Sequence, residues 1–359
     1  MVFLPALICL AASVADSSRP DSAFQRFGGV PVVAYAGETG WQLGALGMVF
    51  FRSTGVDDPG SQVDVAAIWT TESQYRFVLN PDIAFREGRI RWESEYQFKH
   101  WPGKYWGGGN DPTDSSLSYD MDVWMMDGDL QWLAAKGVRL GGAYDLERND
   151  ATFHASDSAD LAGHPDAYPH AAPENVGGDR VGLGWSVEWD GRDHDNWPRR
   201  GTYARLRQLH YNEAWGSDRD FMTNALDLRG YVPTPFDGAG AFCAYWEGVW
   251  GDAPFDRLAM PDGTHHMRGL KKGRLADRQE LVLQGEWRVP LFWRFGAATF
   301  IEAGKVGEDA RAILENDFHC AFGLGGRFAL NPSRRLNARG DLIWVDGGIG
   351  MSVYYREAF

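Results

Sequence analysis

Several groups of residues in this sequence have types and spacings that could do chemistry. Asp190, Arg192 and Asp193, with Pro198 and Gly201 just behind them, set two carboxylates around a guanidinium. Such a set could move a proton. It can equally satisfy the backbone groups of a tight turn, and a structural turn is the reading taken. His154, His164, His170, His265 and His266 gather in presumed loops. Imidazole suits transition metals, but these spacings fit no ligand frame, so neither a metal nor a cofactor is expected. The glycine run "WGGGNDP" (106–112) lacks the Lys-Ser/Thr pair and the helix of a phosphate loop, and reads as a bent loop. No Gly-x-Ser-x-Gly elbow is present. The expectation is a protein without catalytic residues.

The stretch "HHMRGLKKGRLADRQE" (265–280) is different. It is charged, broken by glycine, and lies between two runs that alternate apolar and polar residues. One reading is a solvated loop with an incidental Arg-Gly pair. The sharper one sends Arg268 inward, with Gly269 giving the backbone freedom to approach a wall closely. The "RGLKKGR" portion adds a basic patch that could neutralise interior or lipopolysaccharide charge.

Composition narrows the elements that could position these residues. The chain has 359 residues and a formal net charge of −14, which argues against a nucleic-acid partner. Residues 2–12 are almost wholly apolar, and Ser13-Val14-Ala15 offers a small-x-small cleavage site. Residues 1–15 therefore read as a secretory leader and 16–28 as a short N-terminal segment before one domain, 29–359. Cys9 falls in the leader, leaving Cys243 and Cys320, which sit in strand-like runs and read as buried thiols. After the leader no stretch approaches the roughly 20 apolar residues of a membrane helix. With 16 Trp, 13 Tyr and 20 Phe, the chain has the material for aromatic girdles at two membrane interfaces.

Period two recurs. In "ELVLQGEWRVP", Leu281, Leu283, Trp287 and Val289 oppose Gln284, Glu286 and Arg288. In "FMTNALDLRGYV", Met222, Leu226, Leu228 and Val232 oppose Thr223, Asp227 and Arg229. In "RLNARGDLIW", Asn337, Arg339 and Asp341 share the polar face. The runs last about 10–13 residues, the length of tilted membrane strands rather than of globular ones. There are about sixteen, with long connections after odd strands (100–115, 148–176, 252–278, 304–317) and many short ones after even strands. The expected fold is an all-β, transmembrane antiparallel β-barrel of about sixteen strands. The end, "VYYREAF", places Val353, Tyr355 and Phe359 on one face of a final strand, with Glu357 an unexpected acid on that face.

These patterns together resemble the outer membrane protein 85 superfamily, the bacterial surface antigen or BamA/TamA-like family. The turn unit in "GLGWSVEWDGRDHDNWPRRGTYARL" (182–206), the "MRGL" of 267–270, and the strands "QGEWRVPL" (284–291) and "TFIEAGKV" (299–306) carry the resemblance. So do "PVVAYAGETGWQLGALG" (31–47) and "GKYWGGGNDP" (103–112) near the start. It spans most of residues 28–359. The resemblance implies that 252–278 is the sixth extracellular loop and folds inward. Its arginine, here Arg268, then pairs with an acid on the wall. Period two sets Phe300, Glu302 and Gly304 on one face of the thirteenth strand, so Glu302 is the expected partner and Glu286 the second. Leu270 stands where the family usually has an aromatic. Asp190, Arg192, Asp193, Pro198 and Gly201 become a periplasmic turn, and Phe359 with Tyr355 a terminal signal read by the assembly machinery.

The first strand begins too soon after the leader for an N-terminal POTRA domain, so the resemblance is to short members without one. It implies a Gram-negative outer-membrane protein exported by its leader. It also implies a role in protein or lipid insertion or translocation through a weak seam between first and last strands. Pro31 and Gly29 in the first strand suit such a seam. The alternative is a passive pore or structural barrel. The partners implied are outer-membrane lipids and lipopolysaccharide, and the barrel-assembly machinery for the protein's own insertion. A periplasmic recruiting protein and a second copy of the chain complete that set.

Overall fold

A computed structural model describes residues 27–36, 40–51, 60–111, 116–154, 177–261, 266–332, 335–345 and 348–359. Residues 1–26, which hold the expected leader and most of the expected segment behind it, lie outside these residues, and Phe27 and Gly28 of that segment belong to the first strand. Sixteen strands form one antiparallel sheet in strict sequence order. They are β1 (Phe27–Ala36), β2 (Gly40–Phe51), β3 (Ser61–Thr70), β4 (Tyr75–Phe85), β5 (Ile90–Tyr105), β6 (Leu117–Ala135), β7 (Val138–Phe153) and β8 (Gly178–Asp190). The remainder are β9 (Gly201–Tyr211), β10 (Phe221–Thr234), β11 (Gly238–Gly251), β12 (Gln279–Pro290), β13 (Phe295–Gly307), β14 (His319–Asn331), β15 (Leu336–Val345) and β16 (Gly348–Tyr355). One short helix, α1 (Ala310–Glu315), is capped by the Asp309 side chain accepting from the Ala312 N–H.

Alternation sorts these strands into two unlike faces. On β13, Ile301 is 62% exposed and its neighbour Glu302 0%. On β12, Leu283 and Trp287 face out while Gln284, Glu286 and Arg288 are buried. The outer face is apolar and aromatic and the concave face charged, the reverse of a water-soluble sheet with one buried face. Exposed aromatics lie near both ends of the strands, with Trp41, Trp69 and Phe77 at one end and Phe292, Trp293 and Phe295 at the other. Among the described residues no helix is long and apolar enough to cross a membrane.

The expected closed transmembrane barrel is not what forms. Among the described residues, pairing begins at β1–β2 and stops at β15–β16, and β1 and β16 do not pair as neighbouring strands. The sheet does curl. Leu46, Met48 and Phe50 of β2 pack with Leu330 and Leu336 at the other end, and Arg356, just past β16, donates to Asp64 of β3 at 3.1 Å. Both edges lack what a continuous ladder needs. Pro31 removes an N–H donor from β1. β16 has only eight residues, after which Arg356 turns away with φ +65°.

Other expectations need correction as well. Phe359 does not extend the last strand: the chain leaves the sheet after Tyr355, and residues 357–359 fold into the interior. Glu357, an acid that could not stay on an apolar face, is buried against Arg327 at 2.8 Å and Asn337 at 3.0 Å. Cys243 is a buried free thiol, but Cys320 is exposed, because it falls on the outward phase of β14.

Candidate functional site

The described parts of the 252–278 connection, 252–261 and 266–278, fold back over the sheet. They enter its concave side and are held at two places. At the first, Arg268 is wholly buried. Its main-chain N–H donates to Glu302 Oε2 at 2.7 Å and its Nε to Glu302 Oε1 at 2.6 Å. Its Nη1 donates to Glu286 Oε2 at 2.7 Å and to Asp341 Oδ2 at 3.2 Å. The guanidinium carbon stands 3.5 Å from the centre of the Phe300 ring. The period-two phase of β12, β13 and β15 brings these four residues to one point, since each lies on the inward side of its strand. Burial opposes the charge on Arg268, but Glu286, Glu302 and Asp341 outweigh it and hold the guanidinium above its ordinary value.

The neighbours of Arg268 explain the residues around it. Gly269 has φ +83°, and a Cβ there would stand 2.9 Å from Ile343 Cγ2. Gly304 leaves room for Met267, whose Sδ would lie 2.2 Å from an added Cβ. Leu270 is buried with Met267, Leu275, Val282, Phe300 and Ile343. Beneath Arg268, acids and arginines alternate. Glu286 also accepts from Arg288 at 2.7 Å and Arg327 at 3.1 Å, and Asp341 accepts from Arg327 at 2.7 Å. Arg268, Arg288, Arg327 and Arg339 therefore face Glu286, Glu302, Asp341 and Glu357, a balanced set in a buried place. The main-chain oxygen of Phe359 accepts from Arg288 at 2.9 Å, and its ring lies 5.2 Å from that guanidinium.

The second holding point was not apparent in the sequence. Arg257 reaches Asp145 at 2.7 Å and Glu147 at 2.5 Å, both on β7. Arg180 of β8 bonds Asp256 at 2.8 Å and also pairs with Glu147. Asn149 donates to Asp256 at 2.6 Å. Phe255 inserts among Tyr105, Tyr119 and Phe153, with ring centres 5.2, 5.4 and 5.8 Å away. The loop thus spans the interior from the β5–β8 wall to the β12–β15 wall. Residues 255–257 carry no periodicity, but the inward phase of Asp145 and Glu147 on β7 was a legible hint that a cation must come from elsewhere.

The other singled-out residues make local contacts. Arg192 forks onto Asp190, Nη2 to Oδ2 at 2.6 Å and Nε to Oδ1 at 3.0 Å, and stacks 4.6 Å over Tyr203. Asp193 accepts from the N–H groups of Arg199 at 2.8 Å and Arg200 at 3.2 Å. Partial burial raises the Asp193 carboxyl, but these two donors win and hold it below the ordinary carboxylate value. Pro198 is buried in the turn, and Gly201 has φ +110°, with an added Cβ 2.2 Å from the Gly191 carbonyl. In the glycine run, Asn110 accepts from the Val306 N–H at 2.8 Å and donates to the Asp317 carbonyl at 2.9 Å. It ties two loops together. His154 pairs with Asp120, and His266 stacks on Tyr245. His164, His170 and His265 lie outside the described residues. No group of metal-ligating side chains forms among those described.

Residues 142–328, more than half of the chain, match the Omp85 superfamily domain. The chain belongs to the Omp85 superfamily. Solved structures agree on the fold. One is BamA from Haemophilus ducreyi lacking POTRA domains 1–3, with TM-score 0.57 and 11% identity, covering 98% of this chain and 75% of that one. Another is CdiB from Acinetobacter baumannii, with TM-score 0.55 and 11% identity, covering 98% of this chain and 65% of that one. A comparison with curated proteins finds no match.

Proposed function

We propose that this Omp85 protein resides in the outer membrane and assists the insertion or translocation of polypeptides, using the unpaired edges of its sheet. The observation that carries this reading is that, among the described residues, β1 and β16 are not paired as neighbours in the sheet, yet Pro31 and Val32 of β1 and Val353 of β16 border one interior cavity. An unpaired edge offers a row of N–H and C=O groups on which an incoming strand can be built. The apolar outer face suits lipid, with lipopolysaccharide as the outer-leaflet neighbour. The doubly held loop supplies a rigid strut that keeps the curled sheet in shape while its edges separate. The protein's own assembly would use the cell's barrel-assembly machinery, and a periplasmic partner would bring the client.

Two charged interior cavities, about 850 and 580 Å³, favour a second reading as a passive pore. The two readings part in one experiment. Vesicles holding the wild type, Arg268→Ala, or a plain porin receive a separate denatured outer-membrane protein, and its folding rate is followed. A further sample carries Val32→Cys with Val353→Cys, joined by a short reducible bis-maleimide linker. Acceleration by the wild type, lost on linking and regained on reduction, supports the edge mechanism. A wild type no faster than the porin, with stable large conductance steps, replaces it with the pore.

A further inference from the structure

At the end of the sheet that carries the long connections, cations collect against the acidic trend of the chain. Arg76 of β4 and Lys99 of β5 stand directly opposite in the register, both on the inward phase of their strands. Like charges in that arrangement destabilise a sheet. Lys272, exposed on the inward-folded loop, lies within electrostatic reach of Lys99, as does Arg76. Beside it, Lys271 and Arg274 lie 5.2 and 4.7 Å from the centre of the Trp106 ring, with Lys104 at 6.0 Å. That ring fixes the neighbouring stretch of the loop by cation–π attraction.

The nearby acids do not cancel this charge. Glu95 and Glu147 face Lys99. Glu147 is already engaged by Arg180 and Arg257, and Glu95, whose bond from the neutral Gln97 amide leaves its charge intact, is one carboxylate against Arg76, Lys99 and Lys272. Among the described residues, Arg76, Lys99, Lys271 and Lys272 make no ion pair. Lys99 thus has Arg76 opposite it in the sheet and Lys272 from the loop within electrostatic reach, a place where a counter-anion would offset the repulsion.

We infer that this cluster is a binding site for a multivalent phosphate-bearing anion. Lysine ammonium groups act as point charges toward phosphate, and Arg76 adds a forked donor. Several negative charges on one ligand meet Arg76, Lys99 and Lys272 together better than a simple monovalent anion does. The phosphate can come from a glycolipid headgroup or from a soluble oligophosphate.

The test uses the full chain folded in zwitterionic detergent and free of phosphate buffer, titrated calorimetrically. One arm uses tripolyphosphate and the other mixed micelles containing a diphosphorylated glycolipid. The expected result is binding of at least one probe, weakening as salt rises. Lys99→Gln with Lys272→Gln should weaken it by roughly tenfold or more, the scale of one charge-assisted contact. Arg311→Gln, which touches only an exposed i,i+4 pair on α1, should leave it unchanged. Glycolipid binding alone identifies a headgroup, and tripolyphosphate binding a soluble anion. If the strand variant fails to fold, Lys272→Gln in the exposed loop carries the test by itself. Absence of binding to either probe, or equal affinity in wild type and variant, overturns the inference.

Discussion

Arg268 and Glu302 are joined twice, once through the arginine's main-chain N–H at 2.7 Å and once through its Nε at 2.6 Å. The carboxylate therefore grips the backbone of the loop as well as its side chain. A lysine at 268 keeps the main-chain bond but loses the fork that also reaches Glu286 and Asp341.

Arg268→Ala should leave Glu302 buried without its cation, while Glu286 and Asp341 keep Arg288 and Arg327. The expected loss of stability is about 3–5 kcal/mol, the scale of an orphaned buried charge. Urea unfolding followed by tryptophan fluorescence measures it, and Arg268→Lys should fall between wild type and alanine. A loss no larger than that of an exposed pair would show the cluster to be well hydrated.

Gly269→Ala tests backbone rather than charge. With φ +83° and Ile343 only 2.9 Å from the new Cβ, the change should cost about 1–3 kcal/mol while every carboxylate partner remains. Thermal melts would read it, and an unchanged Tm would mean that the loop relaxes at no cost.

Arg257→Ala should loosen the other end of the strut. Hydrogen exchange is expected to speed up at 252–260 but not at 266–270. Combined with Arg268→Ala, the losses should exceed simple addition if the loop acts as one body bridging two walls. Strict additivity would instead make the two anchors independent.

The turn around Asp193 gives a pH signature. Asp193 is held below its ordinary value by the Arg199 and Arg200 N–H groups. Its folded value is the lower one, so its contribution is present above the unfolded carboxylate range and is lost as pH falls through the folded value. Asp193→Asn should flatten the acid limb of stability against pH and leave the neutral region little changed. An unaltered acid limb would remove the turn carboxylate from the account.

Much of the site was legible because period two is strict. Glu286 and Glu302 had to point the same way as the polar residues beside them, and it was the family resemblance that implied an inward Arg268 from the loop before β12. Asp341 was visible on its polar face, but nothing local said that β15 would curl round to meet the same guanidinium. The Asp256–Arg257 anchor and the staple from Asn110 join residues far apart in the chain through loops without periodicity.

What the sequence determined by itself is the alternation: which residues form strands, which face of each is charged, and where the connections are long. Those properties follow from backbone geometry acting over a few residues. Whether the sheet closes was decided only in three dimensions. Closure needs β1 to match β16 along a whole ladder, and Pro31, the short last strand and the buried partners awaiting Glu357 and Phe359 draw the two edges to other uses. Tertiary structure also decided that the acidic chain would hold its arginines inside, because a buried carboxylate is stable only when a cation from another strand or loop is brought against it.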